Sequence, residues 1–163
     1  MKEIEQKFWE SYTDTLSASQ RPDNPYIEVA YAGNKFITDD LLELYLTGKK
    51  TAGSSLVADF KAANDLLPKV GNYWIILNSV NEPKCIVKTM KTAINKFKDI
   101  ASEIAIAEGE GDLSVEYWKA VHSSFYTPHL KEWGIDNLNE ALVVTEFFDV
   151  VWPKNNGERK WDC

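Results

Sequence analysis

The sequence predicts an α+β fold built on a small curved sheet or barrel. Three observations predict it. The strongest strand patterns lie in the middle and at the end of the chain, at 73–77, 85–94 and 142–152. Helical periodicity lies before and between them. Strand and helix do not alternate in the regular order that βαβ units require.

Each element has its own signal. Ile4, Phe8, Trp9, Tyr12 and Leu16 form an apolar stripe at helical spacing over residues 3–17. A polar loop with two prolines follows from Ser17 to Pro25, and Tyr26 to Ala32 alternates enough for a short strand. Asp40-x-x-Glu43 reads as a capping box opening a leucine-rich helix that Gly48 stops. Thr51 to Ala58 is expected as a strand. Leu67 to Gly71 is a turn into the strand Tyr73 to Leu77, and Asn78 to Pro83 connects it to a second long strand, Cys85 to Ile94. Ile100 to Ala107 is a short helix ended by glycines. Ser114 caps a further helix bearing Trp118, Val121, His122 and Phe125, which Pro128 ends or kinks. Leu142 to Trp152 is the last strand. Ile75, Leu77, Ile86 and Val144 are expected in the core. These elements place a single domain over residues 1–152, with a polar tail at 153–163.

The chain has 163 residues, 18 Lys+Arg and 25 Asp+Glu, a net charge of −7. That balance opposes a broad surface for duplex DNA, so any nucleic-acid binding must be local. No apolar run is long enough to span a bilayer. The first residues carry acids where a signal peptide needs a basic end. A soluble, cytoplasmic protein is the expectation. Charge is segregated: Lys84 to Lys98 holds five lysines and no acid, and Asp99 to Trp118 holds six acids and no base. This reads either as a basic strand edge beside an acidic helix pair, both solvated, or as a lysine-lined face beside a carboxylate-lined rim.

Two cysteines, Cys85 and Cys163, and two histidines, His122 and His129, are too few and too scattered for a structural zinc site. Cys85 reads as a buried thiol. No phosphate-binding loop, nucleophile elbow or zinc-protease helix is present. Glu108, Glu110 and Asp112 have the spacing of a calcium loop, but Leu113 and Lys119 stand where its turn glycine and closing carboxylate belong.

Two segments remain: Gly48-Lys49-Lys50-Thr51-Ala52-Gly53-Ser54-Ser55, where a helix gives way to a strand, and Ala107-Glu108-Gly109-Glu110-Gly111-Asp112, followed by Tyr117-Trp118 and His122. With Leu67-Pro68-x-Val70-Gly71-x-Tyr73, Phe97, and Val144, Glu146 and Phe147 near the last strand, they resemble the ASCH domain, in its longer bacterial branch. That family is related to PUA-like RNA-binding domains. The resemblance covers about residues 40–152.

The resemblance implies a small PUA-like β-barrel flanked by helices, with a cleft that binds single-stranded RNA or a modified nucleoside or nucleotide. In one branch of the family it implies amide hydrolysis of acetylcytidine by a Lys, a Thr and a Glu, and in another metal-assisted RNA cleavage. The lysine falls on Lys50 and the glutamate on Glu110. The threonine falls on Gly53, which has no hydroxyl. Ser54 is the tentative replacement, provided that the strand bends. The expected ligand-binding set is Lys49, Lys50, Thr51, Glu110, Asp112, Tyr117 and His122. No metal ligand is assigned, and a divalent ion, Mn or Mg, stays open as a cofactor. Three readings result: a binding module, a hydrolase on RNA or an acylated nucleoside, and a protein-interaction domain with a vestigial cleft. The ligand and the oligomeric state are not legible.

Overall fold

A computed structural model describes residues 1–154; the rest of the expected tail, 155–163 with Cys163 in it, lies outside the described residues. The fold is α+β. Ten main elements follow one another: α1 Glu3–Thr13, β1 Ile27–Tyr31, α2 Thr38–Leu46, β2 Ala52–Leu56, α3 Val57–Ala63, β3 Tyr73–Leu77, β4 Pro83–Lys96, α4 Ser102–Glu108, α5 Val115–Tyr126 and β5 Leu142–Trp152. Short 3-10 turns occupy Phe97–Asp99, Thr127–His129 and Leu138–Glu140. The strands hydrogen-bond in the order β1-β3-β4-β5-β2. No helix among the described residues is long and apolar enough to cross a membrane.

The chain divides into two compact units. The first comprises, of the described residues, Met1–Gly48, Gly71–Lys88 and 149–154. Here β1 pairs parallel with β3, and β3 pairs antiparallel with the start of β4. Ile75 and Ile86 face each other in that register and are fully buried, with Leu77 close behind. Trp9 of α1 packs edge-on against both Tyr12 and Tyr73 over this face. Cys85 is buried as expected, and burial pushes its thiol up to about 12.

Two helix boundaries differ from expectation in this unit. The α1 helix stops at Thr13, so Leu16 packs from the following turn rather than from the helix. The α2 helix begins at Thr38, two residues before the expected Asp40 cap. The reason is a buried bond pattern: the Thr38 hydroxyl accepts from Ala32 N at 3.0 Å and donates to Leu77 O at 2.7 Å. Tertiary pairing sets this helix start, and Asp39 and Asp40 fall in its first turn, where carboxylates favour the helix dipole.

The second unit, Lys49–Val70 with Thr89–Phe148, holds the conspicuous motifs. Strand β2 pairs antiparallel with β5, Ala52 opposite Phe147 through Leu56 opposite Val143. The chain then turns at once into α3, so the strand expected through Ala58 ends at Leu56. The core of this unit gathers Leu56, Phe97, Ile104, Trp118, Tyr126 and Val143; Val144, on β5, is buried as expected. The lysine-rich strand is solvated: Lys91 meets Glu103, while Lys96 and Lys98 share Glu140.

Candidate binding site

Lys50 sits where the chain leaves α2 and has not yet entered β2. Backbone bonds pin that junction: Thr51 N donates to Ala107 O at 2.7 Å, and Phe148 N donates to Thr51 O at 3.0 Å. The end of α4 and strand β5 therefore fix where the Lys50 side chain starts. Gly109 closes α4 in the left-handed region, at φ +70°, and a Cβ there would lie 2.0 Å from Lys49 O. Only glycine fits so close to another backbone while holding that φ.

The Lys50 ammonium is buried among carboxylates. It donates to Glu110 Oε1 at 2.6 Å, to Glu108 Oε2 at 3.3 Å and to Glu108 O at 3.4 Å. The Lys50 and Glu108 side chains are 5% and 3% exposed, against 24% for Glu110. Glu108 is thus the inner partner and Glu110 the outer one.

Glu108 is the residue that sequence reasoning missed. Its Oε1 accepts from the Trp118 indole N–H at 2.7 Å, and its Oε2 lies 3.4 Å from His122 Nε2. Desolvation pushes its carboxyl up, but His122, Lys50 and the Ser54 hydroxyl outweigh that and hold it at about 2. His122 stacks on Trp118 with ring centroids 3.8 Å apart, and its Nδ1 lies 2.8 Å from Trp118 O. Facing a carbonyl, Nδ1 must carry the proton. Residues 118 and 122 are one helical turn apart on α5, so the spacing that suggested a shared face also brings both rings to Glu108.

Ser54 lies in the same cluster without a bend in the strand. Ala52, Ser54 and Leu56 share one face of β2, and the β2–β5 register runs without a shift. The Ser54 hydroxyl bonds the buried Thr145 hydroxyl at 2.8 Å, and Tyr126 OH donates to Ser54 O at 3.1 Å. Burial, with the Glu108 and Asp59 carboxylates, raises the Tyr126 hydroxyl.

Outside this cluster lies a shallow pocket open to solvent, enclosing about 10 Å³, lined by Glu108, Glu110, Ser114, Tyr117, Trp118 and His122 together with Ala105 and Val121. The expected cleft lined by Lys50 and Glu110 is corrected in one respect: Lys50 lies behind Glu110 and does not line the pocket. Glu110, Tyr117 and His122 do. Lys49 and Thr51 are exposed and do not, and the Thr51 hydroxyl instead donates to Ala107 O at 3.1 Å. Asp112 is exposed too, its carboxylate accepting from Ser114 N at 2.9 Å, and the Ser114 bonds hold its carboxyl below the usual range. Ser114 caps α5 as expected, its hydroxyl accepting from Tyr117 N at 3.0 Å.

Tyr117 is placed by Gly111. A Cβ at position 111 would fall 2.3 Å from the Tyr117 ring, so the glycine leaves room for an aromatic wall. The site does not suit a resident divalent ion. Both Glu108 oxygens already accept from Trp118 and Lys50. Among the described residues, no group of three or more His, Cys, Asp and Glu could hold a metal.

The sequence model of the ASCH domain matches residues 28–152. The ASCH domain of Lactobacillus crispatus is similar over 93% of this chain and 96% of its own, with 28% identity and a TM-score of 0.85. Protein EF3133 of Enterococcus faecalis is similar over 92% of this chain and 89% of its own, with 27% identity and a TM-score of 0.76. No curated protein gives a significant sequence match.

Proposed function

Because the chain belongs to the ASCH domain family, we propose that it binds a nucleobase, carried by a modified nucleoside or by single-stranded RNA, in the pocket beside Glu110. One observation carries the reading. Glu110 Oε1 is fixed on Lys50 at 2.6 Å, and its other oxygen accepts no hydrogen bond among the described residues. The carboxylate is thus oriented on one side and open on the other. An amino or ring N–H of a base would donate to it, a charge-assisted bond in a half-buried place. Tyr117 offers an aromatic face, and base–aromatic stacking is worth about 1–3 kcal/mol. Lys50 acts through Glu110, holding it in place.

The hydrolase reading has one observation in its favour, the Ser54 hydroxyl beside Glu108. Against it, Lys50 donates to three acceptors, and an ammonium so engaged is no proton acceptor. A pocket adjoining the ion pair also supports binding over a vestigial cleft.

The test is a nuclear magnetic resonance titration of the protein with a nucleoside panel and short single-stranded RNA. The Trp118 indole N–H resonance reports on the pocket wall and should shift on saturation. Shifts confined to residues of the first unit, such as Ile75, would sink the reading. Mass spectrometry of the same mixtures separates binding from turnover.

A further inference from the structure

Independently of what the pocket binds, we infer that two copies of this chain pair through α5 about a twofold axis at Val121, so that Phe125 of each copy packs against Tyr117 of the other. Leu113, Tyr117, Val121 and Phe125 recur every fourth residue along one side of α5 and the turn before it, and all are between 37% and 45% exposed. Ala120, Ser124 and Pro128 are exposed between them, leaving gaps beside the larger side chains. Knobs and gaps on one face are what a self-complementary, twofold contact needs. At about 200 Å² for a free side chain of this size, the stripe with Ala120 and Pro128 presents roughly 400 Å² of apolar surface. Interfaces are about 60% apolar, so this matches a contact of roughly 700 Å² per copy, close to the ~800 Å² of a stable dimer.

Charge selects a second copy as the occupant and sets its direction. The chain carries −7, so two copies approach most easily where acids are missing. From Tyr117 to Lys131 there is no Asp or Glu, whereas Glu108, Glu110, Asp112 and Glu116 crowd the segment before. Antiparallel α5 helices oppose their dipoles and set the acidic Asp112–Glu116 end of one copy beside the exposed Lys131 of the other, twice over. The pocket is also unfinished in the single chain. It encloses about 10 Å³, the room of one water, where ligand sites hold about 300–1,000 Å³. Tyr117 and Val121 belong both to the pocket and to the stripe. A second α5 crossing at Val121 brings its Phe125, four residues on, to Tyr117, four residues back, and supplies a wall that the pocket lacks.

The test is sedimentation equilibrium of the ligand-free protein over a range of concentrations. The mass should rise to twice the 18.5 kDa of the chain. Val121→Asp sets two carboxylates face to face and should weaken pairing roughly hundredfold or more. Val121→Lys should do the same, and mixing the two variants should restore a dimer. Ala120→Glu, at an exposed position of the same face, repeats the test should Val121→Asp fail to fold. Phe36→Asp, at a side chain 93% exposed in the first unit, should leave the dimer intact. In a mixture of isotope-labelled and unlabelled protein, a filtered nuclear Overhauser spectrum should join the Tyr117 and Phe125 rings, which lie about 12 Å apart along one helix. A wild type that stays monomeric, a dimer that survives both Val121→Asp and Ala120→Glu, or a dimer without the Tyr117–Phe125 contact overturns the inference. With no ligand present, each of these results leaves the nucleobase reading to its own titration.

Discussion

The indole N–H of Trp118 donates to Oε1 of Glu108 at 2.7 Å, joining the middle of α5 to the last residue of α4. A carboxylate this buried is tolerable only because each oxygen has a donor or a cation. Glu108→Gln keeps the shape and removes the charge, leaving Lys50 with half its compensation. It should lower unfolding free energy by about 3 kcal/mol. Trp118→Phe, which removes only the donor and part of the ring, should cost about 1–3 kcal/mol. Urea unfolding measures both, and a Glu108→Gln protein as stable as wild type would contradict the account.

Acid should act through the same group. The folded Glu108 carboxyl is lowered from 4.5 to about 2. A depressed carboxyl contributes stability that is complete above its unfolded value and lost as pH falls through its folded one. The stability gap between wild type and Glu108→Gln should therefore be constant near neutrality and shrink between 4.5 and about 2. A gap that does not change over that window would mean that the carboxyl is not held down.

Two glycines separate packing from backbone strain. Gly134, at φ +68°, has open space around its Cβ position, so Gly134→Ala should cost only the left-handed penalty, about 1–2 kcal/mol. Gly109→Ala adds a methyl 2.0 Å from Lys49 O and must push back the segment that positions Lys50. Its thermal midpoint should fall much further than that of Gly134→Ala. Equal midpoints would show that the junction yields without cost.

Gly53 tests the chemistry that the family resemblance implied. It does not lie at positive φ, and an added Cβ would meet only Phe148 Cε1, at 3.7 Å. Gly53→Thr should fold, with stability within about 1 kcal/mol of wild type, since threonine suits a strand. Wild type should hydrolyse acetylcytidine weakly or not at all, and the variant should do no better, because its hydroxyl would lie toward Phe148 on the face of β2 opposite Ser54. Efficient wild-type hydrolysis that survives Ser54→Ala would place any such chemistry elsewhere.

Much of this was legible because local signals and tertiary packing agreed. Strand β5 runs from Leu142 to Trp152 as its pattern indicates, and Ser114 caps α5 as its type predicts. The α2 start was not legible, because Thr38 is chosen by partners far along the chain, among them Leu77. Helix α3 was hidden by its brevity: seven residues beginning at Val57 continue the apolar look of β2. In the site, the Lys50–Glu110 pairing followed from family motifs and holds at 2.6 Å. Glu108 was passed over because its role is spatial. Only folding brings Lys50, Trp118 and His122 onto one carboxylate, and an acidic loop viewed as sequence gives no sign of which acid turns inward. The nearest sign was the Trp118–His122 spacing on α5.

The central claim is that the open oxygen of Glu110 receives a base N–H. Calorimetry comparing wild type with Glu110→Gln, using the tightest-binding nucleoside of the panel, tests it most directly. Loss of a charge-assisted bond worth about 1.5–3 kcal/mol should weaken binding by roughly 10- to 150-fold while the fold, read by the Trp118 indole resonance, persists. Unchanged affinity in a folded Glu110→Gln protein would contradict the account.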